Sequence, residues 1–375
     1  MMSSAVMVSA SQPASQSSVS QPWIISRRDD LVWFQGSVIA GVILMLFFWL
    51  QPPLRNASYT IWNPVVMVLL LWGVLFDGTH VWGTYARSYQ SKDDPSRAVL
   101  PGRWSWLIIL VGPAVALIDY ALLKPGTSLL SNAGWLFRMF LVFAYLWAYW
   151  HLVRQHYGFL VLYRRKAGET DRRGGQLDSM LLWVGTLYPY LRFSLSEDFE
   201  KSGLPQLIPA NLLAPGRMAL DIIFVVFMIG IIALMASGRI EKTRLGPKHL
   251  LLTVVIGFTF AVFSLLDNLL TITAALTIFH NLQYHRIVWQ YEKGRGRTPS
   301  GSLVGYLSLG LLLGLAWYVP RIGGVAIVEG NLARNILLGF GWGVAFHHYI
   351  VDGRIWRVRR TQGVAAALDA GAVKA

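Results

Sequence analysis

The feature that most constrains this chain is a succession of apolar runs of about 17–25 residues, each long enough to cross a bilayer as a helix. They fall at 31–50, 61–85, 104–123, 135–163, 179–193, 218–236, 250–266, 268–289, 303–319 and 336–351. In hydrocarbon every backbone N–H and C=O must find its partner within the protein, which favours helices over open sheet. The expected fold class is therefore all-α, a polytopic transmembrane helical bundle of about ten spans. The fifth run is short and holds Pro189, so a kink or tilt is expected there. The seventh and eighth are parted only by Asp267-Asn268, read as a tight turn.

Composition points the same way. Charged residues make up 14% of the chain and hydrophobic ones 54%, whereas soluble domains carry roughly 25% charged residues. The 16 Trp suit rings seated at membrane interfaces. Cysteine is absent, which excludes disulfides, cysteine-held Fe–S clusters and thiolate-ligated haem. Any metal must then rest on His, Asp or Glu.

The net charge of +14 does not imply nucleic acid, because the basic residues sit in short loops between apolar runs. Such residues set orientation and meet anionic head groups of membrane lipid. Most of the 33 Lys and Arg fall in alternate connections, including Arg27-Arg28, Arg164-Arg165-Lys166, Arg172-Arg173, Arg295, Arg297 and Arg357 to Arg360. The opposite loops hold few, such as Arg55, Lys124 and Lys201, beside the acidic Glu197, Asp198 and Glu200. This segregation places both termini in the cytoplasm and requires an even number of spans. The expected setting is a bacterial inner membrane. Residues 1–22, rich in Ser and Gln, are read as a disordered tail, 23–360 as the transmembrane domain and 361–375 as a flexible C-terminal tail.

All of the eight histidines but His249 lie in four patches. The second run ends with Asp77 and His80, the fourth with His151 and His156, the eighth with His280 and His285, and the tenth with His347, His348 and Asp352. All four ends face the cytoplasm on this reading. At 1.5 Å per residue the patches lie roughly 18–30 Å below the outer helix ends, within one slab of the bilayer. Asp77/His80 and His348/Asp352 are spaced to share a helix face. His151/His156 and His280/His285 are five apart, about 140° around a helix, so both members reach one ion only across a π-bulge or unwound turn. Ionisable groups at this depth cost about 2.5–3.5 kcal/mol each unless paired, hydrated or metal-bound. Imidazole and carboxylate without thiolate suit Fe, Mn or Zn, and so many candidate ligands favour two ions.

Singly, each patch has a plainer reading: Asp77 pairing with Arg87, or His347-His348 forming a hydrogen-bonded pair. Asp119, Arg138, Arg192, Asp221 and Asp267, outside the patches, read as interhelical pairs or interface groups. Gln155, Gln283, Tyr157, Tyr284 and Tyr349 are placed to orient ligands.

The layout of the four patches resembles the histidine-box class of integral membrane non-haem di-iron enzymes, which includes fatty-acyl desaturases, hydroxylases and alkane monooxygenases. That family's boxes commonly read H-x3-H and H-x2-H-H; here they read D-x2-H, H-x4-H, H-x4-H and H-H-x3-D. The resemblance implies two irons on the patch residues and O2-dependent oxidation of a C–H bond (hydroxylation, desaturation or cleavage) in a lipid or other hydrophobic substrate. It also implies a separate reductase as electron donor. Two other readings stay open: a bis-histidine haem protein, and a proton- or metal-coupled transporter. Zinc-dependent hydrolysis would need a Glu beside the ligands, and no H-E-x-x-H occurs.

Overall fold

Helix starts follow local capping chemistry. The Asn63 side chain accepts from the Val65 amide, with Pro64 at the first helical position. Asp171 accepts from the amides of Arg173 and Gly174, Asn268 from Leu270 and Ser302 from Gly305. Each side-chain oxygen satisfies an amide that the first turn leaves without a carbonyl.

The computed structural model describes residues 22–54, 58–122, 134–202, 204–237, 246–324, 331–356 and 363–373. The long helical segments are α1 Arg27–Leu50, α2 Pro64–Gln90, α3 Arg103–Leu122, α4 Trp135–Lys166, α5 Arg172–Ser194, α6 Ala210–Ala236, α7 Pro247–Leu265, α8 Leu269–Gly294, α9 Leu303–Gly324 and α10 Asn331–Ile355. No strand occurs among the described residues. Of these helices 7 are long and apolar enough to cross a membrane, namely all but α5, α8 and α10. Asp267-Asn268 is the turn between α7 and α8, as its sequence suggested.

α8 forms the centre. It is buried along most of its length and packs on α1, α2, α4 and α7. α10 lies against α2, α3 and α4. α6 is peripheral: Ile222, Ile223, Val226 and Ile229 point outward, and Asp221 pairs with Arg192 of α5 at 3.2 Å. Asp119 accepts from the Leu136 amide, 3.1 Å away, joining α3 to α4. α2 and α9 meet at two glycines. A Cβ on Gly78 would lie 2.3 Å from the Cα of Gly314, so only hydrogen allows this approach.

Two segments leave the α-helical repeat near this crossing. Gly73–Asp77 in α2 and Val319–Gly324 in α9 are π-helical. The end of the chain, expected to be loose from 361, instead forms a helix, α11, over Val364–Val373. It docks on α8 through Val364 and Leu368, and Asp369 bridges Arg165 and Lys166 at 2.9 and 2.7 Å. Alternating Ala with spaced apolar residues gives it a face to bury, which its low complexity obscures. The Ser/Gln-rich segment through residue 21 lies outside the described residues.

Candidate metal centre

One histidine from each of α2, α4, α8 and α10 meets in the interior. The rings of His80 and His280 stand 4.7 Å apart, His80 and His348 4.5 Å, His151 and His280 5.3 Å, and His151 and His348 5.1 Å. Every one of these contacts is edge-to-face, so the imidazoles close a four-membered ring of side chains. A nitrogen from each of His80, His151 and His280 lies within 4.8 Å of the other two. Asp352, one turn beyond His348, brings a carboxylate oxygen to 4.0 Å from Nε2 of His151.

All four rings are buried. Both nitrogens of His80 and of His348, Nε2 of His151 and Nδ1 of His280 have no hydrogen-bond partner among the described residues, nor has one oxygen of Asp352. Buried polar atoms are ordinarily satisfied, and each unsatisfied one costs about 1–3 kcal/mol. So many in one cluster of side chains, with a nitrogen from each of His80, His151 and His280 close together, fit a cation bound there. Two nitrogens on a common ion at about 2.1 Å each are at most about 4.2 Å apart, so an inward shift of a few tenths of an ångström closes the set of His80, His151 and His280, while His348 and Asp352 stand outside that group.

Of the other patch residues, His285, His347 and Asp77 are hydrogen-bonded to neighbouring side chains, and His156 lies apart from the ring of four. His285 has Thr79 Oγ1 3.1 Å from Nε2 and the Tyr306 hydroxyl 2.8 Å from Nδ1. Thr79 gives its own proton to backbone carbonyls, so His285 donates through Nε2 and accepts at Nδ1. His347 stacks on Trp106 at 3.8 Å and hydrogen-bonds Tyr85 and Ser105 through its two nitrogens. Asp77 accepts from the Tyr318 hydroxyl and from Nδ2 of Asn281. His156 is buried with neither nitrogen partnered, but its ring packs on Phe279 at 5.3 Å, outside the ring of four. α4 and α8 run as unbroken α-helix through these pairs, so each five-residue spacing sends one histidine inward and turns the other away. His249 stands apart, accepting from the Gly246 amide.

Neighbouring side chains fix the rings. Tyr349 stacks on His151 at 4.4 Å, and Tyr284 meets His80 edge-on at 4.6 Å. The Tyr284 hydroxyl is tied to Thr84 and accepts from the Trp356 indole. Gln155 donates to the carbonyl of His280 and to the side-chain oxygen of Gln283, and Gln283 donates to the carbonyl of Phe34. Tyr157 is half-buried against the core without reaching the rings.

A cavity of about 70 Å³ opens onto His80, His151 and His280. Its remaining wall is mostly apolar, with Trp72, Ile272, Leu276 and Phe263, but Asp77, Tyr318 and Arg321 also line it. Sequence reasoning passed over Tyr318 and Arg321. The available signal was a lone Arg directly after an apolar run of α9, in a position easily taken for a loop. No family model, no curated protein and no solved structure matches this chain.

Proposed function

We propose that His80, His151, His280 and His348, with Asp352, hold a redox-active metal ion, iron foremost, and that the chain is a membrane oxidoreductase. It oxidises a C–H bond of a lipid or other hydrophobic molecule with O2. The observation that carries this reading is the group of three buried histidines, His80, His151 and His280, with a nitrogen of each within 4.8 Å of the others, and the His348 ring packed against two of them. An all-nitrogen and oxygen donor set suits iron, manganese or zinc. Five donors suit one ion; the count that favoured two falls once Asp77, His285 and His347 are engaged elsewhere.

When bound, iron supplies oxygen activation. The chain's own residues hold the site: Tyr349 and Tyr284 fix ring orientation, and the apolar wall excludes water. Such an oxidation needs reducing equivalents, and these come from a separate reductase. Haem is disfavoured because rings in mutual edge contact leave no gap for a macrocycle. In this reading all ten long helices span the membrane, with both termini and the basic helix ends in the cytoplasm. α8 and α10 are less apolar because they carry polar side chains such as His280, Gln283, His348 and Asp352 into the protein interior.

The test is metal content and the absorption spectrum of detergent-purified protein, beside a His280→Ala/His348→Ala double variant. About one iron per chain without a Soret band, lost in the variant, is the expected result. A Soret band, or folded protein that takes up no metal on reconstitution, overturns the proposal.

A further inference from the structure

The cavity beside the histidines lies to one side of them. It is lined from Trp72 to His80 on α2, Tyr145 to Leu152 on α4, Leu269 to His280 on α8 and Trp342 to Tyr349 on α10. On each helix the lining runs mainly toward the N-terminal end, away from the basic last turns of α4 and α8. Along α8 it covers roughly 16 Å, so a volume of about 70 Å³ makes a narrow passage.

A second cavity, of about 290 Å³, sits where that passage leads. The ends of α1, α5 and α7 and the start of α8 form it, and its lining includes the exposed Ser264 and Leu265, so it meets the surface. Phe263 lines both cavities. Its ring stands 5.7 Å from those of Tyr149 and Tyr190, which line the inner cavity, and 5.5 Å from that of Phe193, which lines the outer. Thr271 and Thr273 of α8 likewise face the outer and the inner cavity.

An apolar cavity of about 150 Å³ accepts benzene or xenon, so the inner one has room for roughly two or three non-hydrogen atoms. Its hydroxyls are committed: Tyr149, Thr273 and Thr277 donate to backbone carbonyls, and Tyr318 donates to Asp77. Arg321 donates to the Tyr318 hydroxyl and lies over the Trp342 ring. With Ile272, Leu276 and Phe263 beside these groups, the wall suits an uncharged guest.

We infer that the two cavities form an entry route to the histidines for a small uncharged molecule, with Phe263 as the partition it must pass. The mouth is the α7–α8 turn, at the opposite end of the bundle from the basic last turns of α4 and α8. On the functional reading above, on which this part rests, the guest is dioxygen.

The chain has no cysteine, so a single one reports on its own site. Thr273→Cys places a thiol in the inner cavity and Thr271→Cys one in the outer. Each detergent-purified variant, stripped of metal by a chelator, is treated with the small uncharged iodomethane or the larger, charged iodoacetate. Alkylation is timed by mass spectrometry. Iodomethane is expected to reach both thiols, and iodoacetate only the outer one. Phe263→Leu is expected to speed methylation at position 273 several-fold and Phe263→Trp to slow it by as much. Position 271 is expected to respond to neither, which also shows that the fold is kept. In reduced, iron-loaded protein, reoxidation by dissolved dioxygen is expected to follow the same order of Phe263 variants. Methylation at position 273 that ignores Phe263, or fails in every variant, overturns the route, as does iodoacetate labelling both thiols alike. Methylation that follows Phe263 beside reoxidation that does not overturns dioxygen as the guest. A protein that takes up no iron fails the functional reading alone, because the alkylation uses no metal.

Discussion

His80 and His348, 268 residues apart in sequence, face each other edge-on at 4.5 Å, and none of their four nitrogens has a hydrogen-bond partner among the described residues. His347, next in sequence to His348, has both nitrogens hydrogen-bonded. On the proposed reading the contrast separates ligand from scaffold within one dipeptide. His348→Ala is expected to lower metal affinity by at least about 100-fold, the scale on which even supporting residues register, and His347→Ala to leave metal stoichiometry unchanged. Elemental analysis after dialysis at graded free metal measures both. Equal loss in the two variants would sink the assignment.

Asp352 sits 4.0 Å from Nε2 of His151, too far for a hydrogen bond and near enough to join or orient a ligand. Asp352→Asn keeps the shape and removes the charge. A fall of about 10–100-fold in metal affinity, without loss of fold, is expected. Titration against a competing chelator gives the number, and an unchanged affinity removes Asp352 from the site.

The sequence announced the depth of the site better than its membership. Apolar run length located the long helices, because lipid and protein interior demand the same backbone pairing. Seven segments also pass as spans by apolarity alone; α8 and α10 do not, because they carry His280, Gln283, His348 and Asp352 into the interior. The same inward polarity made the four patches visible. Which member of each patch points inward is decided by helix rotation and by partners such as Tyr306 and Trp106, and those contacts join residues far apart in sequence. Arg321 was missed for a related reason: its surroundings come from Trp342 and, through Tyr318, from Asp77. The docking of α11 depends on Asp369 meeting Arg165 and Lys166, a pairing no local pattern reveals.

The Gly78–Gly314 contact sets how α2 presents His80. A Cβ on Gly314 would fall 2.2 Å from the carbonyl oxygen of Val74, inside the π-helical segment. Neither neighbour is a flexible side chain, so the helices must part. Gly314→Ala is expected to destabilise the protein by about 1–3 kcal/mol and to weaken metal binding, although position 314 touches no ligand. Gly353→Ala, where a Cβ meets nothing within 4 Å, is the control. Thermal unfolding in detergent and metal titration of both variants check this, and a Gly314→Ala protein matching the control refutes the close-packing argument.

Metal should also be felt as stability. The apoprotein buries imidazole nitrogens without partners, each at about 1–3 kcal/mol, and an ion that binds only the folded state relieves this. Stabilisation then follows ligand concentration, about 2.7 kcal/mol at a free concentration of 100 times Kd. Chelation is expected to lower the unfolding temperature and re-addition of iron to restore it. The rise on re-addition is expected to vanish in His80→Ala and to persist in His285→Ala. His285 does its work through Thr79 and Tyr306, so its loss lowers the baseline without touching the metal-dependent increment. Acid enters with a definite sign: ligation requires neutral imidazole, so lowering the pH competes with the ion and shrinks the increment, while raising it does the reverse. An increment absent in the wild type, or present undiminished in His80→Ala, places the metal somewhere other than the four-histidine ring.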